Sequence, residues 1–359
     1  MSRRLGDLPA PIRVALIGSA FGGTVHAPGF AADTAFRLVA VASASRDRAG
    51  DLAERYSIPY FTDDWARMLD EVECDLVSIA TPVDLHYPMA RAALERGRHV
   101  LLEKPFALNM AEAKELAALA KAQGVVAVVN HEFRHQPGRE TLTRAVQEGR
   151  LGRLEHLVMQ TRMPGWARDP GRRLTWLTQR ERGGGFLGAL GSHDVDSMRL
   201  WGGPIRRVFG KLRRLAASDP EADAAHRAIT ADDCYTLLLE FENGATGLVE
   251  AFAGSKIRQE RIEAYGSQDC LAVIGGWRIG RPNPAGGLDE IEIPADLRLD
   301  PTPEAPLLAP FRVKVAMLRE AILRGKAASP TFGEAVEVQR VLDAARKSDQ
   351  TGGWIEIES

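Results

Sequence analysis

The stretch VALIGSAFGG, residues 14–23, constrains this chain more than any other. An apolar run of strand length ends at Gly18, and Gly18, Ala20 and Gly23 then follow in G-x-G-x-x-G spacing. The first glycine permits a tight turn. The second position lets backbone approach a pyrophosphate, and Ala20 adds only a methyl there. The third allows the next helix to pack on the strand. Phe21 and Gly22 complete the loop, and the helix start behind it presents unpaired N–H groups to an anion. Alone, such a motif is weak and a plain glycine-rich turn competes with it. Here it opens a series. Apolar runs recur at 13–17, 37–41, 76–80, 99–102 and 125–129, with helical patterns between them. Alternating strands and helices imply a parallel sheet covered on both faces, the context in which the loop binds a dinucleotide.

The helix signals are specific. MARAALERG places Met89, Ala93 and Leu94 on one face and stops at Gly97; Asn109 and Glu112 stand in capping-box spacing before a helix that closes at Gly124. After residue 150 the pattern changes. Strand-like runs flank Asn243-Gly244, and again Gly266-Ser267, which predicts antiparallel hairpins. Two late helices are expected, in VKVAMLREAILRG and GEAVEVQRVLDAARKS. The expected organisation is a leader over 1–11, an α/β Rossmann dinucleotide-binding domain over 12–132, and an α+β domain with an open, mainly antiparallel sheet over 133–359.

Bulk properties exclude several functions. The net charge of −2 argues against general affinity for nucleic acid or anionic membranes. Cys74, Cys234 and Cys270 are far apart without CxxC spacing, so they are expected to be reduced residues of a cytoplasmic protein. The twin arginine Arg3-Arg4 raises export, but Pro9 and Pro11 interrupt the segment behind it and the next apolar run is needed as β-strand.

Cofactor subtype is read at the end of the second strand. Ser43, Ser45 and Arg46 stand there, where a site preferring NAD usually carries a carboxylate. Hydroxyls and a guanidinium suit a 2′-phosphate, so NADP is favoured and NAD remains possible. Ligands of such a sheet lie beyond the carboxyl ends of its strands. VLLEKPF, residues 100–106, ends an apolar strand in Glu103 and Lys104 before Pro105. An ammonium there stabilises an alkoxide, and Glu103 restrains the lysine.

GSAFGG, SIATPVDLHYPMARAALERGRHVLLEKP, FRHQP and the final VLDAARKSDQTGGWIEI together resemble the glucose–fructose oxidoreductase / inositol dehydrogenase / MocA family over nearly the whole chain. The resemblance implies NAD(P)-dependent oxidation or reduction of a sugar, sugar acid or cyclic polyol. It places Lys104 near the reacting centre and Thr81-Pro82, with His86 just beyond, at the cofactor. It also implies a homodimer or homotetramer built through the second domain's sheet. The family's D-x-x-x-H motif supplies an acid–base histidine, matched by His193, but its aspartate position is Ala189.

Ser192 reads as an N-cap, which places His193 in a first helical turn, where the helix dipole favours a neutral ring able to take an alcohol proton. Asp196, three residues on, is in range to orient that ring or to serve structure, and Asp194 is expected to support the helix start. Glu132 stands where many relatives carry Asn or Gln, and either accepts substrate hydroxyls or pairs with Arg134 or Lys104. Arg162, Trp166, Arg168 and Trp176 are candidates for the substrate end. His131 and His135 lack metal-ligand spacing, so no metal is expected. His26, His99, His156 and His226 are assigned no chemistry. Two other functions use the same parts: redox-neutral cleavage or epimerisation with a retained cofactor, and cofactor binding without catalysis.

Overall fold

The structure is a computed structural model that describes residues 11–164, 174–218 and 224–358. By packing, the chain forms two compact units, Met1–His135 with Asp300–Val336, and Gln136–Leu299 with Glu337–Ser359.

The first unit begins with β1 (Ile12–Ile17), a π-helical turn (Gly22–His26) and α1 (Ala27–Ala31). It continues through β2 (Phe36–Ala42), α2 (Arg46–Tyr56), β3 (Tyr60–Thr62), α3 (Trp65–Glu71) and β4 (Leu76–Ile79). The series ends with α4 (His86–Glu95), β5 (His99–Leu102), α5 (Met110–Gln123) and β6 (Ala127–Val129). The strands form a parallel sheet in the order β3-β2-β1-β4-β5-β6. Strand order reverses between β1 and β4, which opens a ligand crevice at their carboxyl ends. Ala15 and Ile17 enter one core, Val14 and Leu16 the other. Burial on both faces is why these strands read as continuous apolar runs. The capping signal before α5 holds: Asn109 Oδ1 accepts from the Ala111 and Glu112 N–H groups, and Glu112 reaches back to the Leu108 N–H.

The second unit contains α6 (Pro137–Gln147), β7 (Leu154–Pro164), α7 (Ser192–Gly202), β8 (Ile205–Arg213) and the single turns α8 (Leu215–Ser218) and α9 (Ala224–Arg227). The strands β9 (Cys234–Phe241), β10 (Thr246–Ser255), β11 (Gln259–Gly266), β12 (Cys270–Ile274), β13 (Arg278–Pro282) and β14 (Leu288–Glu290) come next. After α10 (Leu308–Arg324) and α11 (Phe332–Thr351), β15 (Ile355–Glu356) closes a nine-stranded sheet in the order β14-β13-β12-β11-β7-β10-β9-β8-β15. Among the described strand pairs of this second sheet, β10–β7 is parallel and the others are antiparallel. Both expected hairpins form; Asn243 Oδ1 accepts from the Ala245 N–H, and Gly244 takes φ +86°.

The sequence expectation assigned the whole of 133–359 to one domain, whereas residues 300–336 pack with the first unit. Phe311, Val315, Leu318 and Ile322 of α10 join the core of Ile12, Val14 and Leu16. A β-carbon on Gly29 would lie 2.4 Å from the Phe311 ring, so Gly29 is what lets α10 approach α1. An amphipathic pattern shows that a helix has an apolar face but not which core receives it. Among the described residues no helix is long and apolar enough to cross a membrane.

Candidate active site

The glycine loop has the geometry its motif requires. Gly18 takes φ +109°, and a β-carbon there would lie 2.1 Å from the Ala80 carbonyl oxygen, so no other residue fits between β1 and β4. Gly23 packs against Leu52 of α2, whose side chain would lie 3.3 Å from a β-carbon at that position. The Gly23 and Thr24 N–H groups return to the Ala20 carbonyl. The N–H groups ahead of them, over Ala20, Phe21 and Gly22, belong to the helix start that has no preceding turn to bond. A helix start without a preceding turn, placed at the strand switch, fits a dinucleotide pyrophosphate.

At the end of β2, Ser43 is buried and its hydroxyl lies 2.7 Å from that of Ser19. Ser45 caps α2 by accepting from the Arg48 N–H. Arg46 is exposed, its guanidinium 5.3 Å from the Phe61 ring centre. Thr81 and Pro82 lie just beyond β4. His86 is fully buried, with one ring nitrogen 3.0 Å from the Thr81 carbonyl and the other 3.0 Å from that of Pro105. The expectation put His86 among cofactor contacts. Its position makes it a strut between two strand-end turns, with burial first among the causes that hold its pKa below the ordinary histidine value.

Glu103 is the hub of the strand ends. It is 6% exposed. Its Oε1 accepts from Asn130 Nδ2 at 2.6 Å and lies 3.0 Å from His26 Nε2, while Oε2 accepts from the Lys104 N–H at 3.3 Å. His26 Nδ1 in turn lies 2.8 Å from the Ser78 hydroxyl. Burial pushes the Glu103 carboxyl up, but His26, Lys104 and Asn130 together outweigh it and hold the group below the usual range. The Ser78, His26 and Glu103 line has the chemistry of a nucleophile relay. Ser78 is 0% exposed in the middle of β4, so no substrate reaches it.

Glu132 lies in the turn Glu132–His135 after β6, 1% exposed, and its Oε2 has no hydrogen-bond partner. Burial first, and the Glu103 charge second, push it up to about 8, against Lys104 and the buried Lys314 of α10. The two carboxyls therefore carry one negative charge between them at neutral pH, next to two lysines. The expectation that Glu132 offers a carboxylate to substrate hydroxyls meets a buried, protonated group instead. Arg134 bonds Ser329 at 2.7 Å and pairs with Glu334 at 3.7 Å.

In the second unit, His193 is 2% exposed on α7. Its setting corrects the sequence reading. Ser192 is not an N-cap; the residue before α7 is Gly191, in right-handed helical conformation, and a π-helical turn (Leu187–Gly191) leads straight into α7. The start of that continuous helical run is capped from elsewhere: the Leu187 N–H donates to Asp232 Oδ2 at 2.7 Å. His193 is therefore not at the positive end of the helical backbone. The glycine run before it makes room, since a β-carbon on Gly184 would lie 2.2 Å from the Trp176 carbonyl oxygen and Gly185 takes φ +117° against Asp232.

Asp194 faces Tyr235, whose hydroxyl donates to Oδ2 at 2.5 Å, while Oδ1 has no hydrogen-bond partner. Burial pushes Asp194 up to about 7, opposed by the Arg139 charge and the Tyr235 bond. Arg139, itself buried on α6, bonds Ser197 of α7 at 3.0 Å and is ion-paired with Glu260 of β11. Asp194 thus ties α7 to the sheet rather than supporting a helix start. Asp196 is 1% exposed on the same helix and Trp176 is half-buried in a short turn. Arg162 lies on β7. Its neighbours Thr161 and Met159 point into the core, so Arg162 projects from the opposite face of the sheet, where it pairs with Glu250 at 3.2 Å. Trp166 and Arg168 lie outside the described residues. Among the described residues no group of three or more His, Cys, Asp or Glu side chains is placed to hold a metal ion.

His26, Asn130, Lys314, Tyr235, Arg139 and Asp232 were not anticipated. Asn130 was within reach, because it ends β6 as Glu103 ends β5. The others act across long sequence separations and leave no local signal.

A doubly wound sheet with a glycine loop, a lysine beyond a strand end and a following mixed sheet define a nicotinamide-dependent oxidoreductase architecture. Residues 12–131 match the family described as "Oxidoreductase family, NAD-binding Rossmann fold", and residues 140–272 match "GFO/IDH/MocA C-terminal domain". The chain belongs to the Gfo/Idh/MocA family and is an oxidoreductase. It is 27% identical to the levoglucosan dehydrogenase of Pseudarthrobacter phenanthrenivorans, over 96% of this chain and 98% of that protein. Two solved structures cover nearly all of it. An oxidoreductase domain protein from Kribbella flavida matches with a TM-score of 0.86 at 28% identity, over 98% of this chain and 100% of that one. A levoglucosan dehydrogenase in complex with NADH and levoglucosan matches with a TM-score of 0.85 at 25% identity, over 97% and 100%.

Proposed function

We propose that this enzyme transfers hydride between a nicotinamide dinucleotide and a carbinol carbon of a sugar, sugar acid or cyclic polyol. The observation that carries the proposal is Lys104, beyond β5, with an ionised Glu103 fixed behind it by two other elements. The similarity to a levoglucosan dehydrogenase along its full length supports a carbohydrate substrate. A nicotinamide dinucleotide held by the Gly18–Gly23 loop at the strand switch would supply the hydride acceptor for oxidation of the alcohol, or the donor for the reverse reaction. The Lys104 ammonium stabilises the oxygen as its charge changes, and the His193 imidazole takes up or returns the hydroxyl proton. Ala189 stands at the family's aspartate position, so the substrate class, more than the hydride chemistry, is what a substrate panel has to assign.

We further take NADP as the preferred cofactor. Ser43 and Ser45 are engaged by Ser19 and by the cap of α2, and Arg46 is an exposed cation for a 2′-phosphate, next to a helix N-terminus. We assign assembly, as a dimer or tetramer, to the outer face of the nine-stranded sheet, where Leu238 is 41% exposed. A Leu238→Glu variant that stays in the wild-type oligomer by sedimentation would contradict that assignment.

The test is reduced-nicotinamide absorbance with NADP+ and NAD+ in parallel over aldoses, anhydrosugars, sugar acids and inositols. Reduction with one group assigns the substrate class and the cofactor. Absence of turnover in both directions, with cofactor binding shown by calorimetry, overturns the proposal.

A further inference from the structure

We propose that Phe61 is a specificity-determining residue: its ring holds the Arg46 guanidinium in place for a 2′-phosphate and so sets the preference for NADP over NAD. The proposal rests on the cofactor reading above, in which Arg46 meets that phosphate. The pairing of ring and cation itself stands on geometry.

Phe61 is the middle residue of β3, the edge strand of the first sheet, and is paired with Val41 of β2. Thr62 is buried, and alternation along the strand sends Phe61 to the opposite face. There its ring runs along α2. The Arg46 guanidinium lies 5.3 Å from the ring centre, and a β-carbon on Gly50 would touch the ring edge at 3.4 Å. Arg46 and Gly50 are four residues apart on α2 and therefore neighbours on one helix face. The Ser43 N–H donates to the Thr62 carbonyl at 3.1 Å, which ties β3 to the strand end where folds of this kind read the ribose.

Three residues here run against local preference. Arg46 puts a cation in the first turn of α2, against the helix dipole. Gly50 lies in the helix interior, where glycine is unfavourable. Phe61 remains 39% exposed. Such departures gather where a site is built. The carboxylate that the same strand meets through Tyr60, Glu71 of α3, is held by Arg67 at 2.7 Å. The kind of partner decides what Arg46 can do. A carboxylate would fix the guanidinium but cancel its charge. An aromatic ring attracts the cation, restricts its long side chain and leaves the positive charge whole for a phosphate. Without the ring, the arginine must be ordered at the moment of binding. That weakens NADP and spares NAD, which lacks the phosphate.

Calorimetric titration of the full-length protein with NADP+ and NAD+ reads this with no sugar and no turnover. We expect Phe61→Leu, apolar but without a ring, to raise the Kd for NADP+ about threefold and leave that for NAD+ within about 1.5-fold, the size of one exposed cation–ring contact. Phe61→Tyr, which keeps the ring, should stay at the wild-type values. The double variant Phe61→Leu/Arg46→Ala should bind NADP+ no more weakly than Arg46→Ala, because the ring acts only through the arginine. A wild-type NADP+ affinity in Phe61→Leu while Arg46→Ala is weakened overturns the proposal and leaves the role of Arg46 standing. Equal losses for both cofactors in Phe61→Leu, or additive losses in the double variant, overturn it as well. An unchanged NADP+ affinity in Arg46→Ala overturns the cofactor reading and this proposal with it. If Phe61→Leu does not fold by circular dichroism, Phe61→Met replaces it under the same criteria.

Discussion

Glu132→Gln should make the protein more stable at neutral and alkaline pH. Glu132 is buried with an unpartnered oxygen, and its pKa is raised from 4.5 to about 8. In the unfolded chain the same carboxyl releases its proton near its ordinary value. Between these limits the native state holds a proton that the unfolded state has lost. Stability is therefore unaffected below the unfolded pKa, falls by about 1.4 kcal/mol per pH unit as pH rises through the interval, and levels off above the folded pKa. By pH 7 the loss has a ceiling of about 3 kcal/mol, and relaxation around the site reduces it to roughly 1–3 kcal/mol. Glutamine keeps the shape and cannot ionise. Urea unfolding followed by circular dichroism at pH 5 and pH 8 should show similar midpoints for both proteins at the lower pH. At the higher pH the variant's midpoint should be clearly above wild type. Hydrogen exchange of the β6 amides gives a local reading of the same effect. A variant less stable than wild type at pH 8 would refute the reasoning, because Glu132 would then be an ionised partner of Lys104 or Lys314 and not a protonated acid.

Three further outcomes rest on particular contacts. Gly18→Ala places a β-carbon on the Ala80 carbonyl at a positive φ, and should cost at least about 2 kcal/mol and weaken cofactor binding by calorimetry. Arg46→Ala should raise the Kd for NADP+ about fivefold and leave that for NAD+ within twofold, the effect expected of one exposed charge on a phosphate. Asp194→Asn removes a buried carboxyl raised from 3.8 to about 7, so the fall in wild-type stability between those pH values should flatten in the variant, read as thermal midpoints across that range.

The first sheet was legible because a strand buried on both faces leaves an uninterrupted apolar run. β3 was missed, since YFT is three residues long and only Thr62 is buried. The hairpins at Gly244 and Gly266 were legible because turn chemistry is local. The placement of α10 was not, because its apolar stripe fits either core. The same division runs through the site. The positions of Gly18 and Lys104 just beyond β1 and β5 were readable from the apolar runs before them. His26 was assigned no chemistry, and its partners Ser78 and Glu103 lie 52 and 77 positions away. Ser192 misled for a physical reason: a serine before an apolar run is a good cap only where a helix starts, and here Asp232 caps an earlier start at Leu187.

The central claim is hydride transfer at a carbohydrate carbon under the control of Lys104. Its most direct test is single-turnover incubation of the enzyme and oxidised cofactor with fully carbon-deuterated sugars, then mass analysis of the extracted nicotinamide. The account predicts one deuteron in the reduced cofactor, formed at least about a hundredfold more slowly by Lys104→Ala. A cofactor that stays undeuterated with every sugar while bound at full occupancy, or one that is deuterated equally fast by Lys104→Ala, would contradict it.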